Sequence, residues 1–271
     1  MRTIKDRVVL VTGAASGIGQ ALAVQFAKEG ANLVITDINK DTLMATVEQV
    51  KSLGREVLPV IADIGNRNDV ERLCRVAIEN HKRVDILVNN AGVALYADFA
   101  DTDLSDWEWL MGVDFWGPVY ALHYLVPGMI ERKSGHIVNL SSWMGLLGQP
   151  SNSAYSAAKF GIMGLSEALR VELNRYNIGV TVVCPGVVQT NIFKSLKIKG
   201  FRSGVRNMPA FLGLSPERIS KRIIHAVKRN RSMVITGLGR SAYALKRISP
   251  GAARIIGYGG AWAYSKFRED R

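Results

Sequence analysis

A chain of 271 residues with 48% hydrophobic and 21% charged residues has an ordinary globular composition, and its length fits one large α/β domain or two small ones with a sizeable core. The net charge of +12 is unevenly placed: Met1–Phe193 carries 17 Lys and Arg against 20 Asp and Glu, whereas Lys194–Arg271 carries 18 against 3. That basic quarter holds no dense Lys/Arg run, no zinc spacing and no RNP-like aromatic motif, so no nucleic-acid partner is expected; a solvated basic surface, or attraction to anionic headgroups or an acidic ligand, fits better.

At the N-terminus, "MRTIKDRVVLVTGAA" has an apolar run of about five residues before glycine, too short for a signal peptide. "RVVLVT" (7–12) reads as the first strand and runs straight into "TGAASGIG" (Thr12–Gly19), followed by a helix over 17–30. "NLVITD" (32–37), a helix over 41–54, "EVLPVIA" (56–62), a helix over 68–81 and "VDILVNN" (84–90) continue the alternation. One long helix is predicted over 104–132, then "HIVNLSS" (136–142), a helix over 152–176 and "GVTVVCP" (179–185). Residues 187–214, rich in Gly and Lys/Arg, break the pattern. Ser215 as N-cap and Pro216 at the first helical position open a helix over 215–229, and "SMVITG" (232–237) is the last strand. The tail after Leu238 also stands outside the alternation.

Strands that are apolar almost throughout are buried on both faces, as in a parallel sheet. Alternation with helices implies βαβ units with right-handed crossovers. The expected fold is therefore α/β: a single doubly wound Rossmann domain over 1–238, with a mostly or wholly parallel seven-stranded sheet and helices on both faces, followed by a basic, aromatic extension over 239–271. Cys74 and Cys184 lie in apolar segments without paired spacing, which argues against a disulfide framework or zinc site and for a reducing, cytoplasmic compartment. No stretch approaches the ~18 apolar residues of a membrane span.

Glycines in "TGAASGIG" permit a tight turn and bring backbone N–H groups to a pyrophosphate at the positive end of the next helix. Asp37 ends the second strand 18 residues after Gly19, where a carboxylate can accept both ribose hydroxyls of an adenosine and repel a 2′-phosphate. Lys40 is near, but no Arg or Lys occupies 14–18 or 38–39, so NAD is favoured over NADP.

"TGAASGIG", "NNAG" (89–92), the serine of "NLSS" and "YSAAK" (155–159) stand in the order and spacing of the short-chain dehydrogenase/reductase family, which the chain resembles over about residues 5 to 237. The resemblance implies that Gly13, Ser16, Gly17, Ile18 and Gly19 line the pyrophosphate and that Asp37 holds the adenosine ribose. It also implies that Asp63 and Ile64 frame the adenine, and that Asn90, Ala91 and Gly92 pass beneath the adenosine side. Pro185, Gly186, Val188 and Thr190 of "PGVVQT" would surround the nicotinamide carboxamide. Tyr155 would be the general acid/base, Lys159 its modulator and a ligand of the nicotinamide ribose, and Ser142 the clamp on the substrate oxygen.

These residue types suit the work. An unperturbed phenol has a pKa of about 10; an ammonium one helical turn away, with the positive nicotinamide, favours its ionised form. The family often has a fourth catalytic residue, an asparagine seven positions after a tryptophan. Here Trp107 is followed at that spacing by Asp114, whose backbone carbonyl can still hold a water but whose charge is expected near Lys159, raising the lysine pKa. His81, His123, His136 and His225 form no metal site or hydrolase triad.

Segment 187–214 is read as a substrate lid, with Phe193, Leu196, Ile198, Phe201, Met208 and Phe211 apolar among five Lys/Arg between 194 and 206. With Trp143, Met144, Leu146 and Leu147 they suggest a lipophilic alcohol or ketone substrate. In the tail, Ser249 and Pro250 open a helix on which Ile255, Tyr258 and Trp262 share a face flanked by Arg254, Lys266 and Arg268, read as a peripheral membrane contact, a subunit contact or a cover on the substrate cleft. The resemblance further implies a homodimer or homotetramer. Alternatives are an NADP(H)-dependent carbonyl or acyl reductase of the same fold, and a catalytically silent NAD-sensing scaffold.

Overall fold

Every residue of Val8–Thr12 (β1) is buried, because this strand lies at the centre of a sheet covered by helices on both sides. The structure, a computed structural model, describes residues 3–189, 196–200, 213–237, 239–249 and 251. After β1 come Gly17–Lys28 (α1), Asn32–Asp37 (β2), Lys40–Lys51 (α2), Val57–Ile61 (β3), Arg67–His81 (α3), Ile86–Asn89 (β4) and Leu95–Tyr96 (β5). Leu104–Met111 (α4), a π turn over Gly112–Trp116, Gly117–Glu131 (α5), Gly135–Leu140 (β6), Ser153–Asn174 (α6) and Ile178–Cys184 (β7) follow. The last described elements are Lys197–Ile198 (β8), Pro216–Lys228 (α7), Met233–Ile235 (β9) and Gly239–Ile248 (α8).

Seven strands form one sheet in the order β3-β2-β1-β4-β6-β7-β9, and every pairing is parallel. Alternate residues of β1 feed two cores. Val9 and Val11 pack with Leu22, Phe26, Leu43, Ile219 and Ile223 from α1, α2 and α7. Val8 and Leu10 pack with Val70, Leu73, Ala121 and Leu125 from α3 and α5. The chain winds outward from β1 in one direction and from β4 in the other, so their carboxyl ends flank the topological switch point where open α/β sheets bind ligands.

The predicted strands and the α1, α2, α3, α6 and α7 helices are present within a few residues, with Ser215 accepting the Arg218 N–H ahead of Pro216. Three features depart from the sequence reading. The helix expected over 104–132 is divided by the π turn that carries Asp114, and α5 starts at Gly117, where an added Cβ would stand 2.3 Å from the Ile64 side chain. A two-stranded parallel pair, β5 with β8, was not expected. Beyond Leu238, α8 packs its Tyr243 against the core cluster of Leu146, Ile162 and Met163. Phe193, Phe201, Met208, Phe211 and the tail residues Ile255, Tyr258 and Trp262 lie outside the described residues.

Candidate active site

Gly13 takes φ +66°, and a side chain there would meet the Ala91 Cα at 2.7 Å. At Gly19 an added Cβ would come within 2.0 Å of the Gly13 carbonyl oxygen, so α1 can begin directly beneath the turn only without a side chain. Two side chains fasten this turn to the end of β4. Asn90 Nδ2 donates to the carbonyls of Thr12 (2.8 Å) and Gly13 (3.1 Å), and Thr12 Oγ1 accepts the N–H groups of Asn90 and Ala91, both at 3.0 Å. Ser16 is the N-cap of α1 but its side chain makes no capping bond, which leaves the helix N-terminus facing the crevice with its own N–H groups. Asp37 lies alongside: its carboxylate accepts the Ala15 N–H at 3.0 Å and the Asn39 N–H at 3.1 Å.

Past β3, Asp63 Oδ1 accepts the Gly65 N–H at 2.8 Å, and Ile64 is buried against Gly117. Past β7, the Gly186 N–H reaches Thr236 Oγ1 at 3.4 Å and the buried Val188 bridges to Leu214; Thr190 lies outside the described residues. A turn at the positive end of a helix, a carboxylate at the end of β2 and open loops beyond β3, β4 and β7 fit a dinucleotide.

On the other side of the switch point, Ser142 follows β6 and opens a short 3-10 turn, its Oγ accepting the Met144 N–H at 3.2 Å. The Trp143 N–H donates to the Pro185 carbonyl at 2.9 Å, tying this loop to the one after β7. Tyr155 and Lys159 rise one turn apart on α6, with the Tyr155 ring against Leu95, Leu110 and Ala158 and its hydroxyl close enough to Ser142 for its pKa to be drawn down by it. Lys159 Nζ donates to the Leu140 carbonyl at 3.2 Å, lies 5.5 Å from the Tyr155 ring centroid and sits 3.0 Å from Asp114 Oδ2. Asp114 Oδ1 accepts the Val93 N–H at 2.7 Å. The structure thus gathers Ser142, Tyr155, Lys159 and Asp114, and places Gly92 against the last two.

A family profile described as short chain dehydrogenase matches residues 7–199. The chain belongs to that family. It is 32% identical to the 3-oxoacyl-(acyl-carrier-protein) reductase FabG of Thermotoga maritima, across 86% of this chain and 95% of that one. A short-chain dehydrogenase/reductase of Burkholderia phymatum solved in complex with NAD superposes with a TM-score of 0.84 at 27% identity, covering 93% of this chain and 96% of that one. A metagenomic short-chain oxidoreductase in complex with NADP superposes with a TM-score of 0.74 at 26% identity, covering 86% and 98%. As a short-chain dehydrogenase, the protein is an NAD(P)-dependent oxidoreductase.

Within this short-chain dehydrogenase the charges are enclosed: Asp114 is 1% and Lys159 4% exposed. Burial pushes the Asp114 carboxyl above its usual range, against the pull of Lys159 and the Val93 N–H. Burial alone would lower Lys159, but Asp114 and then Tyr155 more than reverse it, and the ammonium ends above its usual value, as the sequence led us to expect. Under the chain's own groups alone, the Tyr155 phenol lies above its usual value. Lys159 and Ser142 do pull it down, yet burial pushes it up by more and Asp114 adds to the rise.

Several residues that build the site escaped the sequence reading. Thr12 is one. Ser141 Oγ donates to the Lys159 backbone carbonyl at 2.8 Å, fixing the height of α6 over β6. Asn89 donates to Asn139 (2.8 Å), Asn139 to Ser166 (2.9 Å) and Ser166 to the Ile162 carbonyl (2.6 Å), a buried polar chain from β4 through β6 to α6. Its signal was there to find: an asparagine inside an otherwise apolar strand must have a buried partner. Among the described residues no cluster of His, Cys, Asp and Glu could hold a metal ion, and no helix is long and apolar enough to cross a membrane.

Proposed function

We propose that this oxidoreductase interconverts a secondary alcohol and a ketone or aldehyde, with Tyr155 exchanging the hydroxyl proton. The observation that carries this reading is the Lys159 ammonium set between the Tyr155 ring and the Asp114 carboxylate, with the phenol beside Ser142, next to a glycine turn built for a dinucleotide. When bound, the nicotinamide supplies or takes the hydride. Ser142 donates to the substrate oxygen as negative charge grows on it. Tyr155 gives its proton to that oxygen in reduction, and takes it back in oxidation once ionised. Lys159 biases the phenol and would hold the nicotinamide ribose; the loop of Pro185, Gly186 and Val188 would hold the carboxamide. Gly13, Ser16, Gly17, Ile18 and Gly19 hold the pyrophosphate, with Asp63, Ile64, Asn90, Ala91 and Gly92 around the adenosine.

Asp37 supports NAD over NADP, since its half-buried carboxylate would face the 2′ position. Half-buried Trp143, Met144 and Leu147 on the loop after Ser142 support a lipophilic substrate, while Leu146 is only 4% exposed and packs into the protein's own core. An acyl-carrier reductase among the relatives points the same way. Residues 1–238 serve both cofactor and catalysis in this reading. The exposed Phe160 and Val171, 11 residues apart on one face of α6, support a subunit contact; a membrane contact rests on the basic, aromatic tail alone. The test follows absorbance at the NADH band with a panel of lipophilic alcohols and ketones, comparing wild type with Tyr155→Phe. A loss of about a hundredfold or more is expected; equal rates would defeat the assignment.

A further inference from the structure

Asp114 stands where the family resemblance led us to expect an asparagine, and the structure shows where its charge goes. The π turn swings its carboxylate inward until Oδ2 is 3.0 Å from Lys159 Nζ, while the Val93 N–H holds Oδ1 at 2.7 Å. Both partners are buried, and Gly92 lies so close that an added Cβ would stand 3.4 Å from Asp114 Oδ1 and 3.5 Å from Lys159 Nζ. Little solvent screens the pair, so the carboxylate cancels much of the ammonium field at the neighbouring phenol.

We infer that Asp114, by taking the charge of Lys159 into a buried ion pair, is a positioning residue that sets this site for reduction of a carbonyl rather than oxidation of an alcohol. The inference rests on the proposed role of Tyr155. The chemistry of the two directions differs in what it asks of that side chain. Reduction needs the phenol: as hydride adds to the carbonyl carbon, the π electrons move to oxygen and the Tyr155 proton completes the alcohol. Oxidation needs the phenolate, which removes the hydroxyl proton while hydride leaves the carbinol carbon.

The groups around Tyr155 agree on the sign. Lys159 on the same helix and Ser142 after β6 favour phenolate; burial of the half-buried Tyr155 side chain opposes them, and Asp114 from the π turn opposes them further. Lys159 itself faces Asp114, Tyr155 and the buried Cys184 of β7, with no second cation in this set. An ammonium already matched by a carboxylate has little field left to ionise a phenol.

Two measurements on the full-length protein test this. The first is the ultraviolet titration of Tyr155, read as wild type minus Tyr155→Phe, and again as Asp114→Asn minus Asp114→Asn/Tyr155→Phe; it needs neither cofactor nor turnover. The Asn side chain keeps shape and an acceptor but removes the charge, so Tyr155 should ionise about one pH unit lower or more in the Asn background. The second is the pH profile of cyclohexanol oxidation, whose rise is expected about one pH unit lower in Asp114→Asn, a one-unit shift being tenfold in phenolate below that rise. Coincident titrations, or a shift upward, overturn the inference. If Tyr155→Phe turns over as fast as wild type, the reading beneath it fails instead, and the titration distinguishes the two.

Discussion

Lys246 Nζ donates to the Leu146 carbonyl at 2.7 Å, with its ammonium 4.7 Å from the centre of the Phe160 ring, so that α8 is tied to the loop that begins at Ser142. Gly239 adds to the union, since an added Cβ there would lie 3.1 Å from the Trp143 Cβ. The segment after the last strand is thereby joined to a wall of the candidate site. Lys246→Met keeps the chain length and the apolar stem but loses the donor. It is expected to raise KM for the ketone several-fold while changing the dissociation constant of NADH little, because the glycine turn is on the far side of the switch point. Steady-state kinetics beside a cofactor fluorescence titration would check it; a loss confined to cofactor binding would contradict it.

Asp37 is expected to govern the choice between dinucleotides. Replacing it by Asn removes a charged acceptor for the ribose hydroxyls, a type of hydrogen bond of about 1.5–3 kcal/mol, and so should weaken NAD about ten- to a hundredfold. Affinity for NADP should rise or hold, since the repulsion of a 2′-phosphate goes with the charge. Parallel titrations with both nucleotides measure the ratio.

Gly19→Ala is expected to damage the cofactor turn itself. The new methyl would press on the Gly13 carbonyl oxygen and on Asn90 Nδ2, at 2.0 and 2.4 Å. Overpacking of this kind costs about 1–3 kcal/mol. A lower Tm together with lost cofactor binding is the outcome; Gly54→Ala, with nothing within 4 Å but a φ of +69°, should lower Tm without touching the cofactor.

His136 predicts an acid limb in stability. Its Nε2 is 2.9 Å from Thr181 Oγ1, and its ring lies so close to Gly179 that a Cβ there would stand 2.4 Å from Nδ1. Burial chiefly, with nearby positive charge, lowers it to about 3. In the unfolded chain an ordinary histidine takes up its proton near pH 6.5. Between those values the unfolded state binds the proton and the folded state does not, so stability is full above about pH 6.5 and falls with pH by up to about 1.4 kcal/mol per unit until about pH 3. His136→Gln is expected to be less stable at neutral pH but to show a shallower acid slope in denaturant titrations.

Most of the sheet was legible because β1, β2, β4, β6 and β7 are buried on both faces, and such burial leaves few polar positions to blur the apolar runs. The break at Gly112–Trp116 was not: a π turn has no composition of its own, and here it coincides with contact between Gly117 and Ile64 from distant parts of the chain. β5 and β8 have two residues each, too few for any period to show. α8 finds its partners on the Leu146 loop and α6, which no local pattern can announce. In the site, the spacing from Trp107 led to Asp114 and motif order led to Tyr155 and Lys159. What spacing could not convey was depth. The sign of the Tyr155 shift depends on how fully its hydroxyl is enclosed, and that is a property of packing.

The double clasp of Thr12 and Asn90 has a thermodynamic consequence. A glycine-rich loop would ordinarily surrender much backbone freedom on meeting a ligand, and affinity would suffer accordingly. Here the loop is already immobilised by four hydrogen bonds to the neighbouring strand end. The dinucleotide therefore meets a preorganised seat: exchange of the Asn90 and Ala91 amides, both held by Thr12 Oγ1, should be slow before the nucleotide arrives and change little afterwards.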